Sequence, residues 1–103
     1  MVLKIEQIRV ALQIALLGEI YQAIRAVVFE YTPQKNEFIL RYYLDRQPVE
    51  DDFESISEVM AEFIANFNYS TFENLKEECE FSELPKSKLE PLSGFVYLRK
   101  EPS

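Results

Sequence analysis

The chain of 103 residues contains no histidine, and that one gap removes a great deal of chemistry. Histidine is the usual general base, the commonest metal ligand and the partner of catalytic Ser and Cys, so those devices are excluded together. The only glycines are Gly18 and Gly94, which excludes a glycine-rich phosphate cradle. The single cysteine, Cys79, excludes an internal disulfide and fits a reducing compartment. It stands between Glu78 and Glu80, whose charges oppose thiolate formation, so it reads as structural rather than nucleophilic. No apolar run reaches the length that crosses a bilayer. Lys4, Glu6 and Arg9 interrupt the N-terminal pattern, which lacks the layout of a signal peptide. These gaps point to a non-catalytic protein of a reducing compartment with no metal and no cofactor.

Positive charge is the next scarcity. From Gln47 to Leu75 there is no Lys or Arg. Residues 1–44 hold five bases against four acids, a balance of +1. Residues 45–83 hold two bases, Arg46 and Lys76, against twelve acids, a balance of −10. Residues 84–103 return to +2, with four bases and two acids. Such a field repels nucleic acid and anionic membranes and attracts basic proteins. The plainer account, that acidic surfaces keep small proteins soluble, explains the total charge but not its segregation.

Within the acidic segment, Glu50 to Phe67 reads as an amphipathic helix. Phe53, Ile56, Met60, Phe63, Ile64 and Phe67 recur at three-, four- and seven-residue steps and form an apolar stripe. Glu50, Glu54, Glu58 and Glu62 recur every four residues as a second, acidic stripe. Like charges at that spacing cost roughly 0.2–0.5 kcal/mol per pair, so the ladder opposes the helix by about 1 kcal/mol in all. Glu50, Asp51, Asp52 and Glu54 sit in or near the first turn, where the helix dipole favours them. Val49 occupies the capping position that Ser or Thr would normally fill.

At 48% apolar and 28% charged residues, the composition fits one globular domain over 1–103. Val2 to Leu17 reads as a helix apolar on more than one side: Ile5, Ile8, Ala11, Leu12, Ala15 and Leu16 form one face, Val10, Ile14 and Leu17 part of another. Either both sides are buried, or one flank meets a partner chain. Gly18 then closes the helix. Ala23 to Tyr31 and Glu37 to Asp45 read as strands joined by a turn at Thr32 to Asn36. Leu75 to Phe81 and Gly94 to Lys100 read as two more. The expected fold is α+β, in the order α-β-β-α-β-β: a four-stranded antiparallel sheet with two helices on one face. Asn68-Tyr69-Ser70 matches a glycosylation acceptor, which without a secretory signal reads as chance.

Period-two counting predicts a second candidate surface. With Phe38, Leu40, Tyr42 and Leu44 toward the helices, Arg41, Tyr43 and Asp45 point away. Ile24, Ala26 and Val28 inward leave Arg25, Val27, Phe29 and Tyr31 outward, and Val96 and Leu98 inward leave Phe95, Tyr97 and Arg99 outward. Arg, Tyr and Phe are residue types that protein interfaces concentrate. A solvent-facing sheet whose Arg stems cover the rings accounts for the same pattern.

Five stretches together resemble small bacterial immunity proteins found beside toxins of contact-dependent growth inhibition and related polymorphic toxin systems. They are Arg9 to Gly18 (RVALQIALLG), Ile24 to Phe29 (IRAVVF), Leu40 to Asp45 (LRYYLD), Pro48 to Glu54 (PVEDDFE) and Gly94 to Glu101 (GFVYLRKE). The resemblance implies a cytoplasmic protein that binds and blocks a cognate toxin without catalysis of its own. Combined with the charge pattern, it makes a basic nuclease the expected target, met by Asp45, Glu50, Asp51, Asp52, Glu54, Glu58, Glu62, Glu77, Glu78 and Glu80. The alternative partner-binding face is Arg25, Arg41, Tyr43, Phe95, Tyr97 and Arg99. The rival reading of the whole chain is a homodimeric structural or adaptor domain, pairing through the first helix or that sheet face.

Overall fold

Alternating β-branched and aromatic residues build the sheet, and two amphipathic helices cover one side of it. A computed structural model describes residues 4–67 and 71–102. The chain runs α1 (Ile5–Ala15), β1 (Ile24–Thr32), β2 (Glu37–Leu44), α2 (Glu50–Ile64), β3 (Asn74–Phe81) and β4 (Gly94–Leu98). A short 3-10 turn at Pro33–Lys35 makes the expected connection of β1 to β2, and a second, not expected from the sequence, stands at Lys86–Lys88. The start of the expected first helix and the Asn68-Tyr69-Ser70 match lie outside the described residues. Among the described residues no helix is long and apolar enough to cross a membrane.

The sheet has the order β3-β2-β1-β4 and is mixed, not antiparallel throughout. β1 pairs antiparallel with both β2 and β4, but β2 and β3 run parallel from Glu37↔Asn74 to Leu44↔Phe81. The physical reason is the helix between them. A strand that leaves the sheet, climbs through α2 and returns beside its predecessor is a crossover connection, which brings the strands back parallel.

That order also puts β3 and β4 at opposite edges. Residues 82–93 therefore cross the face of the sheet away from the helices, and they bury Leu89 against Ala26, Val28 and Tyr43 as a second, smaller core. The main core lies between sheet and helices, where Phe38 stacks on Phe63 at 4.5 Å between ring centres and Ile8, Leu12, Leu40, Tyr42, Ile56 and Met60 are buried.

Two bulges overturn part of the face assignment. On β1 the pairing shifts between Ile24 and Ala26, so Arg25 is the extra residue and every later side chain changes sides. Val27, Phe29 and Tyr31 consequently join the main core, while Ala26 and Val28 turn to the outer one. On β4 the shift opposite Val27 and Val28 sends Tyr97 against the main core and Phe95 against the outer one. A one-residue slip cannot be read from alternation, because both phases of these strands are apolar.

Candidate partner-binding surface

α2 begins at an unusual cap. Val49 offers no side-chain acceptor, so the Asp52 carboxylate reaches back and accepts the Val49 N–H at 2.8 Å. The same carboxylate accepts from Arg46 Nη1 at 2.6 Å and from the Tyr21 hydroxyl at 2.5 Å. Burial by itself would raise the Asp52 carboxyl, but these three donors outweigh it and hold it down at about 2. Burial, reinforced by Asp52, pushes the Tyr21 hydroxyl well above its ordinary range. Asp52 is fully buried and leaves the acidic face expected of it. Phe53 makes the opposite move: expected in the core, it is 47% exposed beside Glu50, Glu54 and Ser57.

The remaining α2 carboxylates stand where the spacing puts them. Glu50, Asp51, Glu54, Glu58 and Glu62 are all exposed, and none makes an ion pair with a described residue. Glu77, on β3 beside α2, is also exposed and accepts from Ser57 Oγ at 2.5 Å. Glu78 and Glu80 belong to the other side of the sheet, at 2.7 and 3.6 Å from Arg41. Asp45 is held by Arg99 at 2.7 Å. Of ten sequence-predicted carboxylates, six form one unneutralised surface and four are engaged within the fold.

The Arg–Tyr face is engaged almost entirely. Arg25, only 7% exposed, donates two hydrogen bonds to Glu101 and one to the Ser82 carbonyl. Arg99 holds Glu101, Asp45 and the Gln22 carbonyl. Arg41 packs over the Tyr43 ring at 5.7 Å, and the buried Tyr43 hydroxyl donates to the Glu90 carbonyl at 2.8 Å. Glu101, which the sequence reading passed over, is the hub. Hydrogen bonds from Arg25, helped by Arg99 and opposed by burial, bring its carboxyl to about 2. Its only sequence signal is an acid two residues beyond Arg99, too common a spacing to single out.

Cys79 is half-buried on β3, paired in register with Tyr42 on the α2 side of the sheet. Burial first, then the Asp52 and Glu77 charges, push its thiol up to about 12. A thiol held protonated in this way is a poor nucleophile at neutral pH. Among the described residues no three His, Cys, Asp or Glu side chains converge to hold a metal ion.

One uncharged surface is exposed as well. α1 and the turn that follows it bury Ile8, Leu12, Ala15 and Leu16, and leave Val10, Ile14 and Leu17 at 54%, 57% and 75% exposure. Arg9 is not part of that flank's charge, since it donates to the Phe95 carbonyl and lies over the Phe29 ring.

The sequence profile of the MafI2 immunity proteins matches residues 5–101, from the first turn of α1 to Glu101. The chain belongs to the MafI2 immunity protein family. Comparison with curated proteins gave no match. The match covers both helices, all four strands and the Arg25–Glu101 clamp. It agrees with the resemblance carried by the five stretches, and it points to neutralisation of a cognate toxin by binding.

Proposed function

We propose that this MafI2-family chain binds a basic toxin, a nuclease by class, in the cytoplasm and blocks its active site without catalysing any reaction. The observation that carries this reading is the α2 surface: Glu50, Asp51, Glu54, Glu58 and Glu62, with Glu77 beside them, exposed and without a cation among them. A toxin that grips nucleic acid presents Lys and Arg at phosphate spacing, and a row of carboxylates on a rigid helix is the complementary array. The exposed Phe53 supplies an aromatic anchor at the rim of that row. Electrostatic steering then raises the association rate above the unsteered range of about 10⁵–10⁶ M⁻¹s⁻¹. The Arg–Tyr face is the weaker candidate, because its guanidinium groups already have carboxylate partners and the 82–93 strap lies over Tyr43.

The test is the salt dependence of binding to a candidate cognate nuclease toxin domain, held catalytically inactive. The association rate is expected to fall about tenfold as ionic strength rises past the point where the Debye length is below 5 Å. A rate that stays constant across that range removes the charge mechanism, and absence of binding removes the pairing altogether.

A further inference from the structure

The α1 flank and the acidic helix meet along one seam. On the α1 side an open groove of about 470 Å³ is lined by Val10, Ala11, Ile14 and Phe67, with Glu6, Gln7 and Asn66 at its polar parts. A second depression of about 370 Å³ is lined by Glu19 and, from α2 and its end, Glu58, Ala61, Glu62 and Ala65. Val10 and Ile14, one turn apart, lie on the same side of α1, and Leu17 stands exposed in the turn just beyond its end. Ala61 and Ala65, one turn apart on α2, are small and exposed, and let a neighbouring backbone come close.

Charge decides between the occupants such a seam could have. A second copy of this chain, related by a two-fold axis, would set the carboxylates Glu6, Glu19, Glu58 and Glu62 of one copy against the same acidic set of the other. α2 carries no base, Arg9 is turned to Phe95 and Phe29, and Lys4 at the cap of α1 is a single base against those four acids. Nucleic acid and anionic lipid are repelled by the same carboxylates. The occupant that satisfies both parts is a helix with an apolar ridge flanked by Lys or Arg.

We propose that the α1/α2 seam receives such a basic amphipathic helix of the toxin, seated on Val10, Ile14 and Leu17 and clamped at its edge by Glu19, Glu58 and Glu62. This rests on the immunity reading and adds to it the part of the surface that sets residence time. Charged residues of the rim govern encounter, whereas a desolvated apolar centre governs dissociation.

The experiment uses the full chain, the same inactivated candidate toxin domain, and the variants Ile14→Asp and Leu17→Asp. Both positions are exposed, so circular dichroism and the thermal midpoint are expected to stay as in the wild type. Binding kinetics are expected to show dissociation at least a hundredfold faster for Ile14→Asp, with association changed by less than threefold. Wild-type affinity retained in both variants overturns the seam while leaving the immunity pairing intact. Failure of the wild type to bind or protect overturns the pairing, and the seam with it. A wild type that is dimeric by light scattering and becomes monomeric in Ile14→Asp gives the seam to a second copy and overturns the proposal.

Discussion

Arg46 Nη1 lies 2.6 Å from Asp52 Oδ2, and this pair sits at the start of the helix that carries the acidic surface. It removes one carboxylate from that surface and uses it to do what Val49 cannot. The negative first turn is thus divided: Asp52 organises the helix, and Glu50, Asp51 and Glu54 face outward. Replacing Asp52 with Ala deletes the acceptor for the Val49 N–H, for Tyr21 and for Arg46. Loss of a cap and of a buried hydroxyl's partner together destabilise by about 2 kcal/mol, or roughly 10 °C in thermal midpoint for a chain this size. The toxin association rate should be nearly unchanged, because the side chain is not on the surface. Differential scanning calorimetry and stopped-flow binding check the two halves separately.

Acid should unfold the protein through two named carboxylates. Asp52 and Glu101 are brought to about 2 in the folded chain, against ordinary values of 3.8 and 4.5. A carboxyl whose folded pKa is lowered stabilises the fold above its unfolded value, and that contribution is lost as pH falls through the folded one. The window is therefore about pH 4.5 down to pH 2. Urea midpoints measured across it should decline steadily for the wild type and much less for Asp52→Asn/Glu101→Gln. A wild type that keeps a constant midpoint from pH 5 to pH 2 would contradict the assignment.

Reversing charge on the exposed row should act on encounter. Glu58→Lys with Glu62→Lys is expected to slow association with the basic toxin domain about tenfold at low salt and to alter dissociation far less. The variant also replaces a repulsive i,i+4 pair with another, so stability should move by no more than about 0.5 kcal/mol. Surface-plasmon kinetics at two ionic strengths separate the terms, and an unchanged association rate would take these two residues out of the steering surface.

The strap over the outer sheet face is structural on this reading. Leu89→Ala should cost about 2 kcal/mol, since the side chain is buried against Ala26, Val28 and Tyr43. Tyr43→Phe should cost about 1 kcal/mol through its lost bond to the Glu90 carbonyl. Neither should alter toxin binding. Chemical denaturation paired with a binding titration is the check, and a selective loss of affinity in Tyr43→Phe would return the Arg–Tyr face to contention.

Cys79 offers a probe of the fold. With its thiol pushed up to about 12, the native protein should react slowly with a disulfide reagent at pH 8 and quickly in denaturant. Native and unfolded rates that coincide would show the burial to be wrong.

Much of this protein is written locally. The order of helices and strands, the apolar stripe of Ile56, Met60 and Phe63, and the exposure of Glu54, Glu58 and Glu62 follow from periodicity, because helix geometry alone fixes which residues share a face. So does the charge segregation; the double-sided pattern of the first helix leaves open whether both sides are buried, and the structure leaves Val10, Ile14 and Leu17 exposed. What needed the third dimension was everything set by a partner distant in sequence. The parallel pairing of β3 depends on where α2 returns the chain, and the inward turn of Phe29 and Tyr97 depends on single extra residues in β1 and β4. Asp52 reads as surface until Tyr21, 31 residues away, and Arg46 close around it, and Arg25 reads as free until Glu101 arrives from the far end of the chain. Pattern gives each residue a side of its own element; only packing decides whether that side meets solvent, a carboxylate or the core.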